Sequence, residues 1–244
     1  MTRSCAGPCL LAAFLLAAAA PAIAGDISSP AGNAKLAAFD IVRTTVSAED
    51  DALLFRMEVS TSAGATVPTP TGEVAGSTVY SYVWPTSLDS AQVGFDAGQG
   101  ILALAATAHP DFDDTPLEDE TGDGDAGNDG ALWHSHWVVL VPDESCGPGA
   151  LKVRDIPDGT TPTLPKTWPG LPILLDSPGF TPTIDGEAVE VRVPISTIGG
   201  QRGINYDGVT AALRVSASMH NPLLCVVDVF DVASGDLSLP GRSD

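Results

Sequence analysis

The residues best suited to chemistry in this sequence are two histidines two positions apart, in Trp133-His134-Ser135-His136-Trp137. The stretch from Ala131 to Val141 reads as a strand, in which side chains alternate between faces. His134 and His136 therefore share one face, continued by Leu132, Val138 and Leu140, while Trp133, Ser135 and Trp137 point the other way. Two neutral imidazoles so placed can converge on one metal ion, and imidazole suits copper and zinc alike. The other two histidines are His109, beside Pro110, and His220, before Asn221-Pro222. Each falls at or near a strand end, so all four could share one edge of a β domain. The competing reading is a surface pair, or two hydrogen-bonded core residues.

Between His109 and His134 runs an acidic loop, 111–130. It holds Asp111, Asp113, Asp114, Glu118, Asp119, Glu120, Asp123, Asp125 and Asp129, with no Lys or Arg. Asp119, Asp123, Asp125 and Asp129 form an oxygen-rich turn that could wrap a hard cation such as calcium. It is not an EF-hand, because the position of the bidentate Glu is taken by His134. A solvated acidic loop with no ion is the alternative.

The elements that must position these groups are short strands. Candidates are Phe39–Val46, Ala52–Ser60, Thr78–Trp84, Ala91–Phe95, Ile101–Ala108, Ala131–Val141, Leu151–Arg154, Ala188–Val193, Val209–Ser218 and Leu224–Val232. They are rich in Val, Ile, Thr and aromatic residues and separated by Gly and Pro. In Val189-Glu190-Val191-Arg192-Val193 the strict alternation implies one buried face. The expected fold is all-β: an antiparallel sandwich, immunoglobulin-like or jelly-roll-like, with long Pro-rich and acidic loops. One helical turn is expected at Ile195–Ile198, stopped by Gly199-Gly200. The segment 158–182, with six prolines, reads as a stiff strap over the domain, with Trp168 and Leu171 beneath it.

Residues 1–24 read as an export signal. Arg3 precedes an apolar run from Leu10 to Ala20, and Ala22-Ile23-Ala24 supplies a small-x-small cleavage site. The run is shorter than the roughly 20 residues that span a bilayer. A single β-sandwich domain is expected over residues 25–244, in the periplasm, at the cell surface or secreted. Loss of Arg3 takes the formal charge from −20 to −21. Such a surface repels nucleic acid, whose binding requires Lys and Arg to displace counterions. Cys146 and Cys225 remain, and an oxidising compartment favours their pairing. Closing a loop of about 80 residues would stabilise the fold by roughly 4 kcal/mol on the chain-entropy model.

Two resemblances extend this reading. Gly25-Asp26-Ile27-Ser28-Ser29-Pro30-Ala31-Gly32-Asn33, with Phe39-Asp40-Ile41 and Leu53-Leu54-Phe55-Arg56-Met57-Glu58-Val59, resembles the start of DOMON-like and family 9 carbohydrate-binding-module-like sandwiches. Those begin with a D-x-x-x-P-x-G element, an early Asp-led strand and an L-x-F-x-V strand. Val191-Arg192-Val193-Pro194-Ile195-Ser196 is similar to their strand-to-turn junction, and the likeness covers about a third of the chain. More narrowly, an exported acidic β protein with a Trp/His strand resembles the copper-repressible surface proteins of methanotrophs, the MopE and CorA type. That resemblance implies His134 or His136 as one copper ligand, His220 as a second and Trp133 or Trp137 as an oxidised residue. In that family the modified Trp lies two residues from a ligand His, whereas here the spacings are one and three.

The function these observations favour is an exported metal-binding protein, with copper held by histidines for uptake or sequestration; association with the outer cell surface is compatible with it. One alternative is a carbohydrate- or surface-binding module in which Trp84, Trp168, Trp133 or Trp137 offers a stacking face. Another is DOMON-like haem binding through Met57, Met219 or His220. An enzyme has the least support, since the sequence has no nucleophile elbow, metalloprotease helix or phosphate loop. A zinc hydrolase built on three histidines is the enzymatic possibility left open.

Overall fold

Alternating strand residues in this chain face two separate apolar environments, and that duality sets the architecture. The computed structural model describes residues 25–216 and 223–243. The expected export signal, and the Met219-His220 pair, lie outside the described residues. The strands are β1 (Ile27–Ser28), β2 (Ile41–Glu49), β3 (Ala52–Val59), β4 (Thr78–Pro85), β5 (Ile101–Ala108), β6 (His134–Pro142) and β7 (Leu151–Val153). They continue with β8 (Leu175–Asp176), β9 (Thr183–Asp185), β10 (Ala188–Pro194), β11 (Asn205–Tyr206), β12 (Val209–Val215), β13 (Leu224–Val232) and β14 (Gly241–Arg242).

One antiparallel sheet has the order β1-β2-β3-β10-β9, and β11 and β14 form a small ribbon. The other sheet runs β5-β4-β12-β13-β7-β6-β8, and β5 also pairs with β6. That last pairing closes β4, β5, β6, β7, β13 and β12 into a ring, so one layer of the sandwich is a curled barrel. Register shifts in β12–β13, at Thr210/Ala211 and Ala212/Leu213, supply the bends that closure requires.

The sandwich core lies between the layers. Phe55, Met57, Val189 and Val191 meet Tyr82, Trp84, Leu104 and Trp137, all buried. Phe55 makes edge contacts with Trp84 and Trp137 at centroid distances of 6.0 and 6.2 Å. The opposite faces of the same barrel strands present Val79, Val83, Ala105, Val138, Leu213 and their neighbours to a second apolar cluster, inside the barrel. Trp137 and Val138, adjacent in sequence, thus belong to different cores.

The all-β antiparallel fold agrees with expectation, as does the turn at Ile195–Ile198, which ends at Gly199 with φ 67°. The expected strand Ala91–Phe95 is instead a 3-10 turn, Ser90–Val93. There Asp89 accepts the amide of Ala91 at 2.9 Å and Gln92 accepts that of Asp89 at 2.8 Å. This reciprocal cap outweighs the β preference of the apolar residues.

Two devices hold the barrel's outer wall. Cys146 and Cys225 form a disulfide, and Cys225 lies opposite Lys152 in the one registered pair between β13 and β7 among the described residues. The bridge therefore staples the shortest seam. The Pro-rich strap covers the wall beyond β7: Trp168 donates its indole N–H to the carbonyl of Ile173 at 3.2 Å, and Leu171 packs against the barrel cluster. The strap ends in β8, which pairs with β6 at Trp137 and Val138. It thereby brings Ser177 to the start of β6.

Candidate metal centre

β5 and β6 are antiparallel, with Ala105 opposite His136 and Thr107 opposite His134. His109 follows the end of β5, so strand pairing alone carries it towards the two β6 imidazoles. The acidic loop that joins these strands then folds Asp114 back onto them. His109, His134, His136 and Asp114 are all buried, at 1%, 2%, 1% and 8% exposure.

The four side chains aim at one point. Oδ1 of Asp114 lies 3.2 Å from Nε2 of His109, 3.4 Å from Nε2 of His134 and 3.2 Å from Nε2 of His136. The Nε2 atoms of His109 and His134 are 2.9 Å apart. Each ring's other nitrogen is engaged outward. Nδ1 of His109 meets the carbonyl of Phe112 at 2.8 Å, and Nδ1 of His134 meets that of Leu132 at 2.9 Å. Carbonyls only accept, so both Nδ1 atoms carry the proton. Nδ1 of His136 lies 3.2 Å from Oγ of Ser177, whose hydroxyl donates to the carbonyl of Asp114 at 2.7 Å. With that proton committed, Ser177 accepts from His136.

The three Nε2 atoms and a carboxylate oxygen consequently face one another in a buried pocket. Among the described residues Nε2 of His136 makes no hydrogen bond, and Oδ1 of Asp114 has only the three imidazole Nε2 atoms around it. A positive charge relieves such a cluster, whether a proton on His109 or a metal ion, and outward Nδ1–H bonds are how metal-ligating histidines are oriented. Phe112 stacks on His109 at 4.1 Å with an interplanar angle of 10°, fixing that ring further. Thr107 Oγ1 is 3.2 Å from Nε2 of His134.

The electrostatics fit a cation. Burial works against ionisation of Asp114, but His136 and His109 overcome it and hold the carboxyl well below the ordinary range. Burial likewise opposes a charged His109, yet Asp114 outweighs it and raises that imidazole. His134 is pushed down by burial, with His136 and His109 adding to the effect. The proton favoured at His109 is the one an incoming metal must displace.

No family model, curated protein or solved structure matches this chain. The chemistry of the donor set therefore carries the assignment: this buried group of three imidazoles and one carboxylate could hold a metal ion.

Of the residues singled out from sequence, His109, His134 and His136 come together; His220 lies outside the described residues. Asp114 and Ser177 were not anticipated as parts of the site. A signal for Asp114 existed, because a loop joining paired strands that carry His109 and His134 must begin and end beside them. Ser177 had none, since the long strap delivers it.

The four aspartates proposed for calcium do not converge. Asp119 accepts the amides of Gly122 and Gly124 at 2.6 and 2.7 Å, Asp123 that of Asp125 at 2.9 Å, and Asp125 that of Gly127 at 3.0 Å. These carboxylates turn the loop locally, as Asx turns do. Asp129 is instead buried beside Asp113 and Glu120, a second group of potential ligand atoms within 4.8 Å of one another. Burial raises the Glu120 carboxyl, which faces Asp129 and Asp113.

Two of the tryptophans are also placed otherwise than a sugar platform needs. Trp84 and Trp137 are 0% and 1% exposed in the sandwich core, so neither offers a stacking face. Trp133 is half-buried, packs at a tilt of 49° against Tyr82 with ring centroids 4.9 Å apart, and donates to the carbonyl of Gly64 at 3.0 Å. Both tryptophans beside the histidines point away from the metal centre, as strand alternation requires. Met57, a candidate haem ligand, is buried in the sandwich core.

Proposed function

We propose that this chain is an exported metal-binding protein that holds a divalent transition-metal ion, copper first among them, at His109, Asp114, His134 and His136. The observation that carries this reading is the convergence of three outward-anchored imidazoles and one ionised carboxylate on a single buried point. Imidazole suits copper and zinc, and among first-row divalent ions an N/O site binds Cu²⁺ most tightly. Asp114 adds a hard, anionic donor that favours the divalent over the monovalent ion. Sulfur is absent from the set, because Cys146 and Cys225 are bonded to each other. The strongly acidic surface would concentrate cations around the protein. Sequestration or delivery of copper outside the cytoplasm follows as the physiological role.

The test is metal analysis of protein purified from its native compartment without chelators, with electron paramagnetic resonance of the copper signal. Stoichiometric copper with nitrogen hyperfine structure is expected, and it should be lost in His134→Ala/His136→Ala. Zinc in place of copper would correct the ion. Metal-free protein that takes up neither ion on titration would reject the site.

A further inference from the structure

The interior of the barrel is hollow. Its inward positions carry small residues, among them Ser81, Ala103, Ala105 and Ala211, beside Val79 and Val83. Small barrels ordinarily fill this space with side chains, whereas here a cavity of about 740 Å³ remains. That volume falls within the roughly 300–1,000 Å³ of small-molecule sites. The walls are overwhelmingly apolar.

The cavity has two distinct ends. At one, Thr107, His109, Asp114 and His136 reach into it. At the other stand Ile101, at the start of β5, and Leu237, just past β13, 38% and 39% exposed. Leu237 and Leu239 both line the cavity in left-handed backbone, with φ 58° and 54°, a conformation leucine rarely adopts. Ile101 and Thr107 bracket six residue steps of β5, or about 20 Å of strand. The space is thus elongated and apolar along its length, with the candidate metal centre at one end.

We infer that the barrel binds an amphiphilic monocarboxylate of the fatty-acid class, its acyl chain in the cavity and its carboxylate on the metal. This rests on the metal reading above. Charge selects the head group: a divalent ion with one aspartate and three neutral imidazoles leaves a single positive charge in a buried site. An unpaired buried charge is costly, and one carboxylate cancels it. Thr107, whose hydroxyl points to the same corner, can donate to the bound head. Asp228, a further carboxylate on the cavity wall, is exposed to solvent and so opposes the anion only weakly. Chain length should matter strongly, because each methylene moved from water into the cavity tightens binding about fourfold.

The experiment uses the disulfide-intact chain loaded with Co²⁺, whose visible bands report ligand changes, and titrates it with octanoate, dodecanoate and dodecanol. Dodecanoate should shift the cobalt bands and bind at least tenfold more tightly than octanoate. Ala211→Phe, which fills the cavity from a strand that carries no proposed ligand, should keep cobalt but lose dodecanoate. Dodecanol should bind more weakly and leave the bands less changed. Cobalt uptake without any dodecanoate binding would overturn this inference and leave the metal site standing. Dodecanoate binding with unshifted bands, or equally to metal-stripped protein, would overturn ligation of the head group. Failure to take up cobalt, copper or zinc would overturn the metal reading and this inference with it.

Discussion

Ser177 Oγ lies 3.2 Å from Nδ1 of His136. The strap hydroxyl and the strand imidazole meet although 41 residues separate them in sequence. Because Ser177 also donates to the carbonyl of Asp114, one hydroxyl aligns two of the four proposed ligands. Ser177→Ala should therefore weaken metal binding by about 10–100-fold, the usual effect of removing a hydrogen bond behind a ligand. Competition titration against a chromophoric chelator measures this. An unchanged affinity would show that Ser177 does not orient His136.

Gly130 is the hinge by which the acidic loop returns to the site. The amide of His109 donates to its carbonyl at 2.6 Å, and a Cβ built at this glycine would lie 1.8 Å from the carbonyl oxygen of Phe112 and 2.5 Å from that of His109. Backbone cannot yield as a side-chain tip can. Gly130→Ala should displace the His109–Phe112 turn, lowering both the melting temperature and metal affinity. Gly124→Ala, in the same loop with nothing within 4 Å, serves as a control but carries its own strain at φ 94°. Equal metal affinity for Gly130→Ala and the parent would contradict this account.

Reduction of the disulfide should act on the barrel before the sandwich. Cys146→Ser/Cys225→Ser is expected to cost about 2–5 kcal/mol. Hydrogen exchange should speed up first in β13 and β7, where Cys225 supports the seam. Uniform acceleration across β3 and β10 would indicate that the two layers unfold as one unit.

Asp40 makes an acid-sensitive clamp. It accepts the amides of Gly32, Asn33 and Ala34 at 2.7, 2.8 and 2.9 Å and the hydroxyl of Ser60 at 2.5 Å. Burial opposes its ionisation, but these donors outweigh it and lower its pKa. A lowered folded value means that the stabilisation is complete above the unfolded pKa, near 3.9, and is lost as pH falls through the folded one. Asp40→Asn should thus be less stable than the parent at pH 7, and the gap should narrow progressively below about pH 4. Urea unfolding midpoints across that range provide the check.

Metal binding should carry its own pH dependence. His109, raised by Asp114, gives up its proton to an incoming ion, so uptake releases acid. Unbuffered titration with Cu²⁺ should acidify the solution, and affinity should fall as pH drops. His109→Gln, which cannot become charged, should flatten that dependence while weakening binding.

Much of this centre could be read from the chain alone, for local reasons. Strand alternation places His134 and His136 on one face and both flanking tryptophans on the other, and the structure has that division. The even count of cysteines after residue 24 was enough to pair Cys146 with Cys225. Local reasoning failed where a short-range cap competed with composition, as at Ser90–Val93. Nor does acidic composition alone show that Asp119, Asp123 and Asp125 each accept amides of their own turns.

What the sequence determined by itself is therefore the all-β class, the facing of side chains within each strand and the chemical types available for a metal. Each depends on neighbours a few residues apart. Closure of β5 onto β6, the hollow it leaves and the meeting of Asp114 and Ser177 with three histidines were decided only by tertiary structure. Those depend on pairings between distant strands and on a strap whose path is set by packing, and neither is encoded in any local period.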